Sequence, residues 1–126
     1  MISEIPDLNQ ESSMNIVFHV PELSRSIPCL NNVKNYLKLS LQPGDEAIRI
    51  VFNAEAVKSL ISEEESALRW LSLCEEYPCI ELLVCRNSLQ GYSLSADALI
   101  NKVEVIPAAV VALVEFQKNG WIYLRP

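Results

Sequence analysis

The sequence predicts an α/β protein, a three-layer α/β/α sandwich on a mostly parallel five-stranded sheet. Strand-like and helix-like segments alternate five times along the chain. Its strand-like segments are continuous apolar runs rather than alternating ones, the pattern of strands covered on both faces. With 126 residues, the chain fits one domain, which should bury roughly two-thirds of its unfolded surface.

Residues 1–13 are polar, contain Pro6 and end in Glu11-Ser12-Ser13, a loose arm ahead of a single domain over 14–126. Residues 14–20 (MNIVFHV), bounded by Ser13 and Pro21, predict the first strand. Ser24 is placed to cap a helix whose stripe is Ile27, Leu30, Val33, Leu37 and Leu41. Gln42-Pro43-Gly44-Asp45 predicts a turn, and residues 47–52 (AIRIVF) the second strand. Beyond Asn53 the helical period returns in Ala56, Val57, Leu60 and Ile61.

Ser62 and Glu65 match a capping box, so a helix over 63–76 is expected, burying Ala67, Leu68, Leu71 and Cys74. Residues 80–85 predict the third strand. Asn87-Ser88-Leu89-Gln90 resembles a second capping box, opening a short helix that Gly91 ends. Residues 103–106 predict the fourth strand. Pro107 suits the start of a helix over 108–118, which Asn119-Gly120 closes, and residues 121–124 form a fifth strand.

Ten Lys and Arg against sixteen Asp and Glu give a net charge of −6, and the basic residues are scattered. That argues against a nucleic-acid binder, whose affinity comes from clustered cations. The longest apolar run is the seven residues 108–114, far short of the ~20 a membrane span needs. The first residues lack the basic-then-apolar plan of a secretion signal, so a cytoplasmic protein is expected. In that compartment Cys29, Cys74, Cys79 and Cys85 should be free thiols. No CxxC pair occurs and His19 is the single histidine, so no zinc ligand set of the usual spacing exists. The chain also has no GxGxxG, Walker loop or GxSxG elbow. No cofactor or metal is expected.

In an open parallel sheet the working crevice lies beyond the carboxyl ends of the strands. Those ends carry His19-Val20, Asn53, Cys85-Arg86-Asn87 and Pro107. A thiol at a helix start meets unpaired N–H groups, which favour thiolate over thiol, and Arg86 stands next to it. The plainer alternative is a small buried hydrophobe at a strand end. Core packing is the expectation for Cys74 and Cys29. Cys79 and Cys85, six residues apart, are too distant for a disulfide. His19 is either a group that handles a substrate or a hydrogen-bonded structural residue. Asn53 is either a ligand contact or an N-cap. Glu63, Glu64 and Glu65 read as a solvated helix start.

The stretches Val17-Phe18-His19-Val20, Leu30-Asn31-Asn32-Val33, Val51-Phe52-Asn53-Ala54-Glu55-Ala56-Val57, Val84-Cys85-Arg86-Asn87-Ser88-Leu89, Val105-Ile106-Pro107 and the terminal Gln117-Lys118-Asn119-Gly120-Trp121-Ile122-Tyr123-Leu124-Arg125-Pro126 resemble the DsrE/DsrF-like proteins of sulfur oxidation and sulfur relay. The resemblance covers about residues 14–126 and implies a DsrEFH-like fold. It implies a cysteine that accepts sulfane sulfur as a persulfide, at the position of Cys85. The expected function is therefore a sulfur carrier or sulfurtransferase-like protein, with His19, Asn53, Arg86 and Asn87 around the exchanging sulfur. Sulfur donor and acceptor proteins would be its partners. The alternative is a non-catalytic oligomeric binding module on the same fold. Where the family is expected to have glycine, this chain has Ala54 and Ala109. The helix at 108–114 is apolar around its first two turns, which predicts a homo-oligomer, trimer or hexamer, through residues 108–113. The family resemblance implies the same.

Overall fold

The computed structural model describes residues 14–40 and 46–126. The proposed N-terminal arm, Leu41 and the turn at 42–45 lie outside the described residues. Five strands, β1 (Asn15–Val20), β2 (Ala47–Phe52), β3 (Ile80–Cys85), β4 (Val103–Ile106) and β5 (Ile122–Leu124), form one sheet in the order β4-β3-β2-β1-β5. Every neighbouring pair is parallel. All five carboxyl ends therefore point to one pole.

The sheet's two faces are covered very differently. On one side lie α1 (Ser26–Leu39), α2 (Glu65–Glu76), the short α3 (Arg86–Gly91) and a 3-10 helix over Ala54–Leu60. Their apolar sides join Ile16, Phe18, Ile48, Ile50, Leu82 and Val84 in one large core. On the other side, α4 (Ala109–Lys118) packs Ala109 and Leu113 onto Val17, Val51 and Leu83. Alternation along each strand sends neighbours to opposite faces, so β1 needs both Val17 and Phe18 apolar. That is why these strands read as continuous apolar runs.

The large core contains one buried polar knot. Trp70 is fully buried, meets Phe52 edge-on at 5.4 Å between ring centroids, and donates its indole N–H to Ser26 Oγ at 2.9 Å. Ser26 in turn bonds the buried Ser59 hydroxyl. A buried indole needs such a partner, because an unmet N–H in the core is costly.

Several sequence expectations are corrected at this level. Neither capping box forms. Ser62 Oγ donates to Ala98 O at 3.0 Å, and α2 begins at Glu65 without a side-chain cap. The α2 face that packs is Ala67, Trp70, Leu73 and Cys74; Leu68 is 53% exposed and Leu71 only half-buried. The buried row is centred on Ala67, Trp70 and Cys74 at i, i+3 and i+7, which leaves Leu68 and Leu71 to one side of it, since a helix turns 100° per residue. Ser24 lies in a 3-10 turn, Leu23–Arg25, and does not cap α1. In α1, Ser26 and Cys29 are buried with Leu30, Val33 and Leu37, whereas Ile27 is half-buried. The segment after Asn53 is 3-10 rather than α, and Gly91 is the last residue of α3 rather than its stop.

The end of α4 follows the expectation. Gly120 has φ +87°, with Gly120 N–H bonded to Gln117 O at 3.1 Å and Trp121 N–H to Phe116 O at 3.0 Å. This is a Schellman closure, completed by Phe116 against Trp121 at 4.6 Å between ring centroids. It turns the chain directly into β5, beside β1.

Candidate functional site

The sheet brings His19, Asn53 and Cys85 to one row, although they are far apart in sequence. Val20 pairs with Phe52 and Phe52 with Val84, so Asn53 and Cys85 are the next residues on adjacent strands. Strand parity places His19, Asn53 and Cys85 on the α4 side, together with Tyr123 of β5, which pairs with Val17. The line runs diagonally across the sheet: Tyr123, opposite Val17, on β5; His19, opposite Val51, on β1; Asn53 just past the end of β2; and Cys85 on β3.

Cys85 is the last residue of β3 and the N-cap of α3, and it is only 5% exposed. Its Sγ accepts the backbone N–H of Ala109 at 3.4 Å, the first N–H of α4. Helix starts leave such N–H groups without intrahelical partners. Burial pushes the thiol up. Hydrogen bonds from the Ser88 hydroxyl and from the backbone N–H groups of Ala109, Ser88 and Asn87 outweigh it, and hold Cys85 below the ordinary cysteine value. Ser88 Oγ itself accepts the Ala54 N–H at 2.7 Å, which leaves its own proton to donate. Ala54 makes that contact from the left-handed region, at φ +52°.

The other thiols behave in the opposite way. Burial pushes Cys29 up to about 12 and Cys74 up to about 11, and also raises Cys79. All four cysteines are free thiols.

His19 is held on both sides. Its Nδ1 lies 2.6 Å from Tyr123 Oη and its Nε2 lies 3.0 Å from Asn53 Oδ1. Burial lowers its pKa; the Asn53 bond opposes this, and the nearby Arg125 cation adds to it. Asn53 occupies the N-cap position of the following 3-10 helix, but its side chain makes no cap bond. It serves His19 instead, so the N-cap reading of Asn53 is set aside.

Asn87 contributes its backbone N–H to the thiol, while its side chain is exposed. Arg86 is exposed and is not among the groups that shift Cys85. Adjacent residues at a strand end diverge, and the backbone donors do the work expected of Arg86. Tyr123 and Ser88 both stand in the family-like stretches, but the sequence alone gives neither of them a role at the site. The parity of β5 would have revealed Tyr123, but only once β5 is known to lie beside β1. Among the described residues no cluster of three or more His, Cys, Asp or Glu is placed to hold a metal, and no helix is long and apolar enough to cross a membrane.

A groove of about 440 Å³ opens beside α4 on the same face, lined by Arg49, Glu81, Leu83, Glu104, Ile106 and Trp121 among others. Leu83 and Ile106 separate it from the thiol: Leu83 precedes Cys85 by two residues, and Ile106 pairs with it. Arg49 spans its floor, bonded to Glu81 at 3.1 Å and lying 5.4 Å from the Trp121 ring centroid.

The fold is shared with solved proteins. The structure of a protein of unknown function, MTH1491 from Methanobacterium thermoautotrophicum, superposes with a TM-score of 0.80 at 25% identity, covering 90% of this chain and 99% of that one. The ychN protein from E. coli superposes at 0.65 with 18% identity, over 92% of this chain and 100% of that one. A conserved protein of unknown function from Bacteroides thetaiotaomicron, BT1422, gives 0.60 at 16%, over 91% and 95%. No functionally curated protein matches the chain. The family model of the DsrE/DsrF-like family matches residues 23–126, most of the chain. The chain belongs to the DsrE/DsrF-like family.

Proposed function

We propose that this protein is a sulfur carrier, sulfurtransferase-like in its chemistry, that holds a persulfide on Cys85 and passes the outer sulfur to a partner protein. One observation carries the reading: among four thiols, Cys85 alone is drawn toward thiolate, by hydrogen bonds that converge on its sulfur. The thiolate is the nucleophile of sulfur exchange. In the loading step Cys85 thiolate attacks the outer sulfur of a donor persulfide. A new S–S bond forms, the donor's S–S bond breaks, and the electron pair leaves on the donor thiolate. The proton stays on the transferred sulfur. In the unloading step an acceptor thiolate attacks that sulfur, and the pair returns to Cys85. The exchange is redox-neutral overall and needs no metal or organic cofactor. Asn53 and the Ser88 hydroxyl orient the sulfur, with the Asn87 and Ala109 N–H groups around it; Arg86, free at the rim, meets an anionic donor.

Mass spectrometry after incubation with a sulfane-sulfur donor tests this. Wild type should gain one sulfur, and Cys85→Ser should not. Absence of any adduct on Cys85 across donors would leave the binding-module reading in its place.

A second feature bears on assembly. Val110, Val111 and Val114 on α4 are 68%, 60% and 51% exposed. An exposed apolar helix face of this kind marks an interaction site. The proposed arrangement is a homo-oligomer, a trimer or hexamer, with α4 at the interface. In sedimentation Val111→Glu should shift wild-type oligomers toward a 14.2 kDa species. A wild type that runs only as that species would sink the assembly.

A further inference from the structure

The family resemblance sets His19 beside the exchanging sulfur, but its hydrogen bonds leave it no free nitrogen. Asn53 Oδ1 can only accept, so His19 Nε2 must carry the proton of that 3.0 Å bond. In a neutral ring Nδ1 then has a lone pair, and it accepts the Tyr123 hydroxyl at 2.6 Å. Both ring nitrogens are committed, and the direction of the whole chain is set: Tyr123 O–H to Nδ1, Nε2–H to Oδ1. The Tyr123 and His19 rings also pack at 5.7 Å between centroids, which limits rotation. The lowered pKa of His19 agrees with a neutral ring.

The far end of this chain is Asn53 Nδ2. With Oδ1 turned to His19 on β1, the amide nitrogen is the group left over, and Cys85 on β3 is the register neighbour of Asn53 on the other side. Adjacent strands are ~4.8 Å apart. Among the described residues nothing accepts from Nδ2, and no buried side-chain nitrogen or oxygen lacks a partner, so Nδ2 is open to solvent.

We propose that Tyr123 and His19 are positioning residues that lock the Asn53 amide with its nitrogen toward Cys85, so that Asn53, and not His19, donates to the outer sulfur. The proposal rests on the persulfide reading for its substrate and on the hydrogen-bond chain for its geometry. As the acceptor thiolate forms its S–S bond and the bond to Cys85 breaks, negative charge spreads over the three sulfurs. The Asn53 N–H groups meet that charge, and no proton passes to or from His19. Without the tyrosine hydroxyl the ring is free to move its proton to Nδ1. Nε2 then accepts, the Asn53 amide turns over to donate to it, and Oδ1 faces the anionic sulfur.

His19 is the single histidine of the chain, so its ring is assigned without ambiguity in 15N NMR. The wild-type ring should carry its proton on Nε2 at neutral pH, and Tyr123→Phe should show a second tautomer. A wild-type ring protonated on Nδ1, or doubly protonated, overturns the proposal without reference to sulfur. Sulfur loading of Cys85 from a small persulfide donor supplies the other readout. Tyr123→Phe should slow loading about tenfold, the scale of one hydrogen bond to a charged group. It should cause no further loss in an Asn53→Ala background. Equal losses in both backgrounds overturn the proposal. A wild type that never loads sulfur removes the persulfide reading, while the tautomer still decides the hydrogen-bond chain.

Discussion

Cys29 and Cys74 on one side of the sheet, and Cys85 on the other, shift in opposite directions. Their exposures are 0%, 7% and 5%. Yet Cys29 and Cys74 are pushed up to about 12 and about 11, whereas Cys85 is held below its ordinary value. Surface exposure does not separate them, but depth does in part: burial is the leading cause of the rise at Cys29 and Cys74, and Cys85 is less deeply set. The partners decide the sign, because a hydroxyl and several N–H groups reach only the third. The same contrast separates the two layers. The side covered by three α-helices and a 3-10 helix supplies the bulk of the core, and the side covered by α4 alone supplies the polar row.

The largest effect that would sharpen this division is on stability. Trp70 fills the thick layer and holds Ser26. Trp70→Ala should cost about 3–5 kcal/mol in denaturant unfolding. In the fraction that remains folded, the alkylation midpoint of Cys85 should stay where it is in wild type. A moved midpoint would break the separation of the layers.

The buried thiols next predict an alkaline limit. Their folded pKa values lie above the unfolded one, so the unfolded chain binds fewer protons above pH 9. Stability is then intact below the unfolded pKa and falls as pH rises toward the folded values of about 11 and about 12. The expected slope is about 1.4 kcal/mol per pH unit for each thiol. Cys85 acts oppositely: its depressed pKa adds stability that is fully present above the unfolded pKa and is lost as pH falls through the folded one. Replacing Cys29 and Cys74 by Ala should flatten the alkaline fall, read from urea midpoints between pH 9 and 11. An unchanged fall would mean that these thiols ionise in the folded state.

How far the sequence reveals such a site depends on range. Apolar runs and their lengths name β1 to β5 within a residue or two, and parallel order follows from alternation, so the placement of Cys85 at a strand end is readable. Side-chain hydrogen bonds are not. Ser62 looks like a cap for α2, but the Ala98 carbonyl, 36 residues on, claims its hydroxyl. Asn53 looks like a cap, but His19 lies within 3.0 Å. In each case a local motif loses to a partner delivered by the tertiary fold. Tyr123 is hidden for the same reason: its role needs β5 beside β1, and strand order leaves no mark in composition or period. The alanines at 54 and 109 are readable as departures from the family's pattern, but not that their N–H groups serve Ser88 and Cys85.

Within the polar row, Ser88 carries the sharpest claim about the thiol. Ser88→Ala removes the side-chain donor and keeps the backbone ones. The Cys85 alkylation midpoint should rise by about one pH unit, since a hydrogen bond to a charged group is worth about 1.5 kcal/mol or more. Unfolding free energy should change little, because Ala54 N–H, on an exposed residue, can turn to water. A midpoint that stays in place would assign the thiolate to the backbone N–H groups alone.

The smallest effect concerns Ala54, the residue that supplies the N–H to Ser88. Its φ of +52° lies in the left-handed region, where a Cβ crowds the following carbonyl at about 1–2 kcal/mol. Glycine there escapes the clash but loses about 0.5–1 kcal/mol to the greater freedom of the unfolded chain. The difference favours glycine, so Ala54→Gly should stabilise the protein by about 0.5–1 kcal/mol in equilibrium unfolding. The N–H is retained and the backbone already has the conformation that glycine prefers, so the bond to Ser88 Oγ at 2.7 Å persists. The Cys85 midpoint should therefore not move. Stabilisation without a change in thiol reactivity would show that the strain at Ala54 is separate from the thiol's chemistry. A lower midpoint would mean that the alanine methyl holds the Ser88 contact short of its best geometry.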